Sequence, residues 1–94
     1  MFVLRIEHPV PDYDAWKAAF DRDPLDRRRC GVRRYHVLRP SDDPLFVAVD
    51  LEFAMLDAAE AMHARLRELW GRVEGDVITA ARARIFAIEE HQEY

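Results

Sequence analysis

His63 and Trp70 stand seven residues apart in a stretch patterned as a helix. That spacing turns both side chains to one side of the helix. An imidazole placed there can take a phenolic proton near neutral pH, and an indole can stack on a flat molecule. The plainer reading is a core tryptophan beside a boundary histidine, because aromatic residues at helical spacing usually fill cores. His8 and Trp16 are the other candidates for the wall of such a pocket. Trp16 belongs to a stripe with Tyr13 and Phe20 at i, i+3 and i+7, which can line the other wall of that cavity, although the core face of a first helix is the plainer reading. Tyr35 and His36 are neighbours in a strand pattern, so they point to opposite faces and cannot line one cavity together.

Other chemistries find little support. The four histidines show no HxH, HxxxH or HExxH spacing, and a metal site would need three ligands to converge from distant positions. No metal and no cofactor are implied. Cys30 is the single cysteine, so no disulfide forms within the chain and no thiolate cluster can hold a metal. Its basic neighbours favour the thiolate, but no histidine adjoins it, and an idle thiol is the simpler reading. Arg27, Arg28, Arg29, Arg33 and Arg34 form a basic cluster that can receive an anion; the bland alternative is a solvated helix end favoured by the helix dipole. No GxSxG, Walker A or GxGxxG sequence is present, which removes the nucleophile-elbow hydrolases, P-loop enzymes and dinucleotide binders. No residue set assigns a catalytic centre.

The elements that must position these residues belong to a small protein. The chain has 94 residues, half of them hydrophobic and a third charged, with a formal net charge of −4. One domain spanning 1–94 is expected. So small a domain buries only about 60–65% of its unfolded surface, and oligomerisation is one way to make up the deficit. Residues 1–47 carry +1 and residues 48–94 carry −5. That acidic balance argues against nucleic-acid binding, which relies on phosphate neutralisation. The opening MFVLRIEHPVP is too short and too charged for a signal peptide or a membrane span. Together with the lone cysteine, this points to a reducing, cytoplasmic setting.

Hydrophobic periodicity gives the order β-α-β-β-α-β. FVLRIEH at 2–8 alternates and ends at Pro9 and Pro11. Asp12 is a natural N-cap for the stripe of Tyr13, Trp16 and Phe20. Asp23-Pro24 predicts a second helical start, with Gly31 closing a segment over 24–30. A strand is expected over 32–39, the turn sequence PSDDP at 40–44, and a strand over 45–53 completing a hairpin. The strongest helix covers 55–70, with Met55, Ala58, Ala59, Met62, Leu66, Leu69 and Trp70 on its apolar stripe. Residues 71–81 hold two glycines and no clear pattern, and ARIFAIEE predicts a last strand at 83–90. Right-handed crossovers place both helices on one sheet face. The other face would carry Val3, Phe46, Ala48, Phe86 and Ile88 among Arg5, Glu7, Asp50 and Glu52. That row is too apolar for a solvated surface and too charged for a dry core. It suits packing against a second copy, with Arg5 and Asp50 able to pair.

At this point the chain resembles the dimeric α/β-barrel superfamily, which includes the antibiotic-biosynthesis-type monooxygenases, and within it the uncharacterised small bacterial members. The resemblance rests on the element order and on HPVPDYDAWKAAFD, GVRRYHVLRPSDDP, VAVDLEF and LRELW. It implies a ferredoxin-like α+β fold, with a four-stranded antiparallel sheet and two helices on one face, dimerising into a barrel. It also implies a pocket between helices and sheet, and a C-terminal tail, EEHQEY, able to reach the partner. Some members oxidise phenolic polyketides with oxygen and no cofactor, some cleave haem, and others have no known reaction. A full Asn/Trp/His-type set is missing here; Trp70 stands where a pocket tryptophan is often found. Three functions stay open: a homodimer holding a small apolar or aromatic molecule, a cofactor-independent monooxygenase acting on an aromatic, polyketide-like substrate, and a structural or interaction domain whose core is filled. The pocket candidates are His8, Trp16, His63 and Trp70.

Overall fold

A computed structural model describes residues 1–73 and 81–94. Strand β1 spans Phe2–Pro9, helix α1 Tyr13–Asp21, β2 Val32–Leu38, β3 Phe46–Phe53, helix α2 Leu56–Val73 and β4 Arg82–Ala87. The strands form one antiparallel sheet in the order β2-β3-β1-β4. This is the ferredoxin-like arrangement that the order of elements predicts.

The register explains why the strands alternate so cleanly. Leu4 pairs with Leu51 and Ile85, Ile6 with Val49 and Ala83, and His8 with Val47. Cross-strand partners share a face, so these residues form one apolar row. That row, together with Phe53, is covered by the helices. α2 packs on β1, β3 and β4, while Trp16 of α1 joins the same buried cluster with Met62 and Trp70 of α2. The opposite row holds Val3, Arg5, Glu7, Ala48, Asp50 and Glu52, none of them fully buried. There Arg5 grips Asp50 with two parallel bonds, Nε to Oδ1 at 2.8 Å and Nη2 to Oδ2 at 2.7 Å. The expected pairing thus forms between neighbouring strands of one chain.

Helix α1 starts where its cap predicts. Asp12 is extended, and its Oδ1 accepts from the Asp14 amide at 3.0 Å. The second helical piece over 24–30 does not form. Asp23 and Asp26 take φ values of 51° and 53°, a left-handed conformation that no N-cap or helix interior uses. The chain instead closes a series of turns: Asp26 N–H to Asp23 O, Cys30 N–H to Asp26 O and Val32 N–H to Arg27 O. Too few apolar residues at helical spacing lie in this stretch to hold a helix against the sheet. Gly31 is left-handed as expected, at φ 97°, but it closes this turn series.

The last strand is shorter than its pattern suggested, although the Ile88 amide still donates to Met1 O at 2.9 Å. Leu45, placed in the β3 row from sequence, precedes the strand and is exposed. Of the glycine-bearing stretch 71–81, residues 74–80 lie outside the described residues. Among the described residues no helix is long and apolar enough to cross a membrane.

Candidate functional site

Between the helices and the inner face of the sheet lies a cavity of about 270 Å³. Ile6, Val49 and Leu51 form its floor, and Met62, Leu66, Leu69 and Trp70 of α2 form one wall. Trp16, Ala19 and Phe20 of α1 form the other, and Arg22, Asp23, Pro24, Leu25 and Arg27 line it from the turns after α1. The lining is otherwise apolar apart from His8.

His8 reaches the cavity because it continues the inward row of Leu4 and Ile6. It is 2% exposed, the buried polar residue of the described chain. Its Nδ1 lies 3.0 Å from Pro9 O. A carbonyl only accepts, so Nδ1 carries the hydrogen and Nε2 is the bare acceptor. Among the described residues Nε2 has no protein hydrogen-bond partner. Burial pushes the imidazole below its ordinary 6.5, the carbonyl of Pro9 opposing weakly. The ring therefore stays neutral at pH 7, with Nε2 able to accept a hydrogen bond or a proton.

A series of rings leads from this histidine along α1. His8 meets Trp16 edge-on at 5.8 Å between centroids, and Trp16 stacks on Phe20 at 5.1 Å and 29°. The Arg27 guanidinium lies over Phe20 at 3.9 Å and near the Tyr35 ring at 5.0 Å. It is pinned by Nη1 donating to Phe20 O at 2.9 Å.

Three of the four pocket candidates, His8, Trp16 and Trp70, thus meet around one cavity. His63 does not line it. Seven residues do bring His63 and Trp70 to one side of α2, yet Met62, at nearly the height of His63, lines the cavity, so His63 misses it by its position around the helix. It follows Met62 by about 100° of helical turn, at the margin of the stripe. Partial burial, then the Arg67 charge, lowers its pKa. Phe20 and Arg27 are the site residues that pattern reading undervalued. Phe20 read as core, and Arg27 read as one of a solvated cluster, although its i+4 spacing from Asp23 was a usable signal. Tyr35 shares the inner face with Leu51 and meets Phe20 edge-on at 5.2 Å, whereas His36 pairs with Asp50 on the other face. Cys30 donates to Leu25 O and receives Arg65 Nη1 on its sulfur, apart from the cavity. Among the described residues no three His, Cys, Asp or Glu side chains converge.

No family model matches the chain, and no curated protein matches it. Solved structures do. SnoaB, a cofactor-independent oxygenase from Streptomyces nogalater, superposes with a TM-score of 0.73 at 16% identity, over 96% of this chain and 94% of that one. A Nitrosomonas europaea protein described as a candidate antibiotic biosynthesis monooxygenase gives 0.70 at 21% identity, over 96% and 100%. The chain has the ferredoxin-like fold of the antibiotic biosynthesis monooxygenases. A variant of MhuD with two manganese protoporphyrin IX bound per active site gives 0.74 at 16% identity over both whole chains. Likeness at these identities is one of fold, and this chain's chemistry has to be argued from its own residues.

Proposed function

We propose that the chain works as a homodimer and holds a small, flat, largely apolar molecule in the cavity between helices and sheet. The observation that carries this reading is His8: a buried neutral imidazole lining a largely apolar cavity, with Nδ1 tied to its own strand and Nε2 without a protein partner among the described residues. A few well-placed polar groups in an apolar cavity are the usual form of a small-molecule site, and the volume sits near the small end of that class. Trp16 and Trp70 supply the aromatic walls. The ligand class is therefore aromatic, with a hydroxyl to donate to Nε2. A core filled by its own side chains, the structural alternative, fits poorly with this open volume.

Calorimetric titration with 2-naphthol tests the reading. Binding is expected, and it should weaken about tenfold in His8→Ala, the loss of one buried hydrogen-bond partner. Absence of heat with 2-naphthol and larger phenols would count against a ligand site.

A second reading, cofactor-independent oxygenation, draws on the same histidine. A neutral base can take a proton from an electron-rich phenolic substrate, and the resulting anion can itself reduce oxygen. In an anthrone-type substrate a CH₂ becomes C=O; one oxygen atom enters the product and the other leaves as water. A cavity poor in water protects the intermediates. Oxygen uptake with an anthrone panel, lost in His8→Ala, is the expected result; uptake untouched by that change would discard the base role.

A further inference from the structure

We propose that Arg27 binds an anionic group on the ligand, making the cavity selective for aromatic hydroxy acids over neutral phenols of the same shape. The inference rests on the cavity being a ligand site and adds the chemical class it takes.

The wall runs from His8, edge-on to Trp16, through Trp16 stacked on Phe20, to Arg27 over the Phe20 ring, with an acceptor at one end and a cation at the other. A molecule lying along it would meet Nε2 of His8 with one end and the guanidinium with the other. Arg27 is held for such a task. Nη1 is fixed on Phe20 O, and the guanidinium carbon lies over the Phe20 ring. Its own amide donates to Asp23 Oδ1 at 2.9 Å. Two non-glycine residues with positive φ, Asp23 and Asp26, shape the turns that carry it. Such conformations persist when the surroundings enforce them, and they gather at ligand clamps.

Asp23 answers the charge of Arg27 only in part. The side chain is 16% exposed, yet the Asp23 carboxylate stands 3.4 Å from Nη1 and is already engaged by the Arg27 amide. Among the described residues nothing accepts from Nε or Nη2. Those are the two donors with which Arg5 grips the Asp50 carboxylate at 2.8 and 2.7 Å elsewhere in this chain. The planar fork matches a carboxylate in geometry and charge. Arg22 adds a second cation to the lining, so Arg22, Asp23 and Arg27 together leave that end of the cavity positive.

The test compares 6-hydroxy-2-naphthoate with 2-naphthol by calorimetry on the whole chain. These probes differ by one carboxylate at the end opposite the hydroxyl. The wild-type protein should prefer the acid by about tenfold or more, the size of a charge-assisted pair, and the preference should shrink as salt rises. Arg27→Gln should bring the two affinities within twofold of each other, while Arg28→Gln, outside the cavity lining, should keep the full preference. Should Arg27→Gln fail to fold, Arg27→Lys replaces it, expected to lose most of the preference because an ammonium has no paired fork. Equal wild-type affinities, or a preference that survives the Arg27 substitution, would overturn the inference alone. Failure of 2-naphthol as well as the acid to bind would overturn the ligand-site reading and this inference with it.

Discussion

At the scale of single residues, His8 ties stability and ligand chemistry to one proton. Its pKa in the fold lies below 6.5 because burial disfavours the charged ring. Above 6.5 folded and unfolded chains both hold it neutral, and it adds no pH dependence. As pH falls below 6.5 the unfolded chain takes up the proton first, so stability is lost until the folded ring titrates too. His63 acts in the same direction, more weakly expected because it is less buried. Urea denaturation at a series of pH values should therefore show a midpoint that drops below 6.5, and His8→Gln should flatten part of that drop. Identical slopes for the two proteins would show that the ring is not held neutral. Legibility at this scale was uneven. His8, Trp16 and Trp70 were visible as pocket residues because a strand's alternation and a helix's stripe say which way they face. His63 lies about 100° around the helix from Met62, at the edge of the stripe, and spacing to Trp70 alone does not show that. Arg27 looked like its neighbours Arg28 and Arg29, since nothing in composition says which arginine of a run turns inward.

At the scale of elements, the connection after α1 does the positioning, and it is where pattern reading failed. Strands β1 and β3 and helix α2 were legible because each repeats its apolar period several times. The stretch 23–31 has no period to read; its shape is set by turns and three left-handed residues. Gly31 is the most constrained of them. Its φ of 97° disfavours any side chain, and a Cβ there would stand 3.3 Å from Ala58 Cβ on α2. Gly31→Ala should cost about 1–3 kcal/mol for the forced conformation, read as a lower urea midpoint with an unchanged slope. Because this turn series carries Arg27, the same variant should weaken binding of the naphthoate more than that of 2-naphthol. A variant as stable as the wild type would mean the loop relaxes freely.

For the whole molecule, the mixed row on the outer sheet face motivates the homodimer. Val3, Ala48 and Phe86 lie there among charges, with Phe86 43% exposed, and a chain of 11.1 kDa has little core of its own to spare. Light scattering at micromolar concentration should give about twice that mass. Because Arg5 and Asp50 neutralise each other within one sheet, Asp50→Arg would leave two like charges on the packed face and should shift the protein toward monomer. The double exchange, Arg5→Asp with Asp50→Arg, should restore much of the dimer. A wild-type monomer would remove the barrel arrangement.

The strand order also decides how copies cannot meet. β2 and β4 bound the sheet, and each is studded with arginine, Arg33 and Arg34 on one side and Arg82 and Arg84 on the other. Lengthening the ladder rim to rim would set guanidinium against guanidinium wherever these borders touched. Growth into ribbons is thereby discouraged, in keeping with the face-to-face packing proposed for the homodimer. Exchanging Arg82 and Arg84 for valine would lift that guard and should turn a clear solution into one that scatters light and binds amyloid dyes.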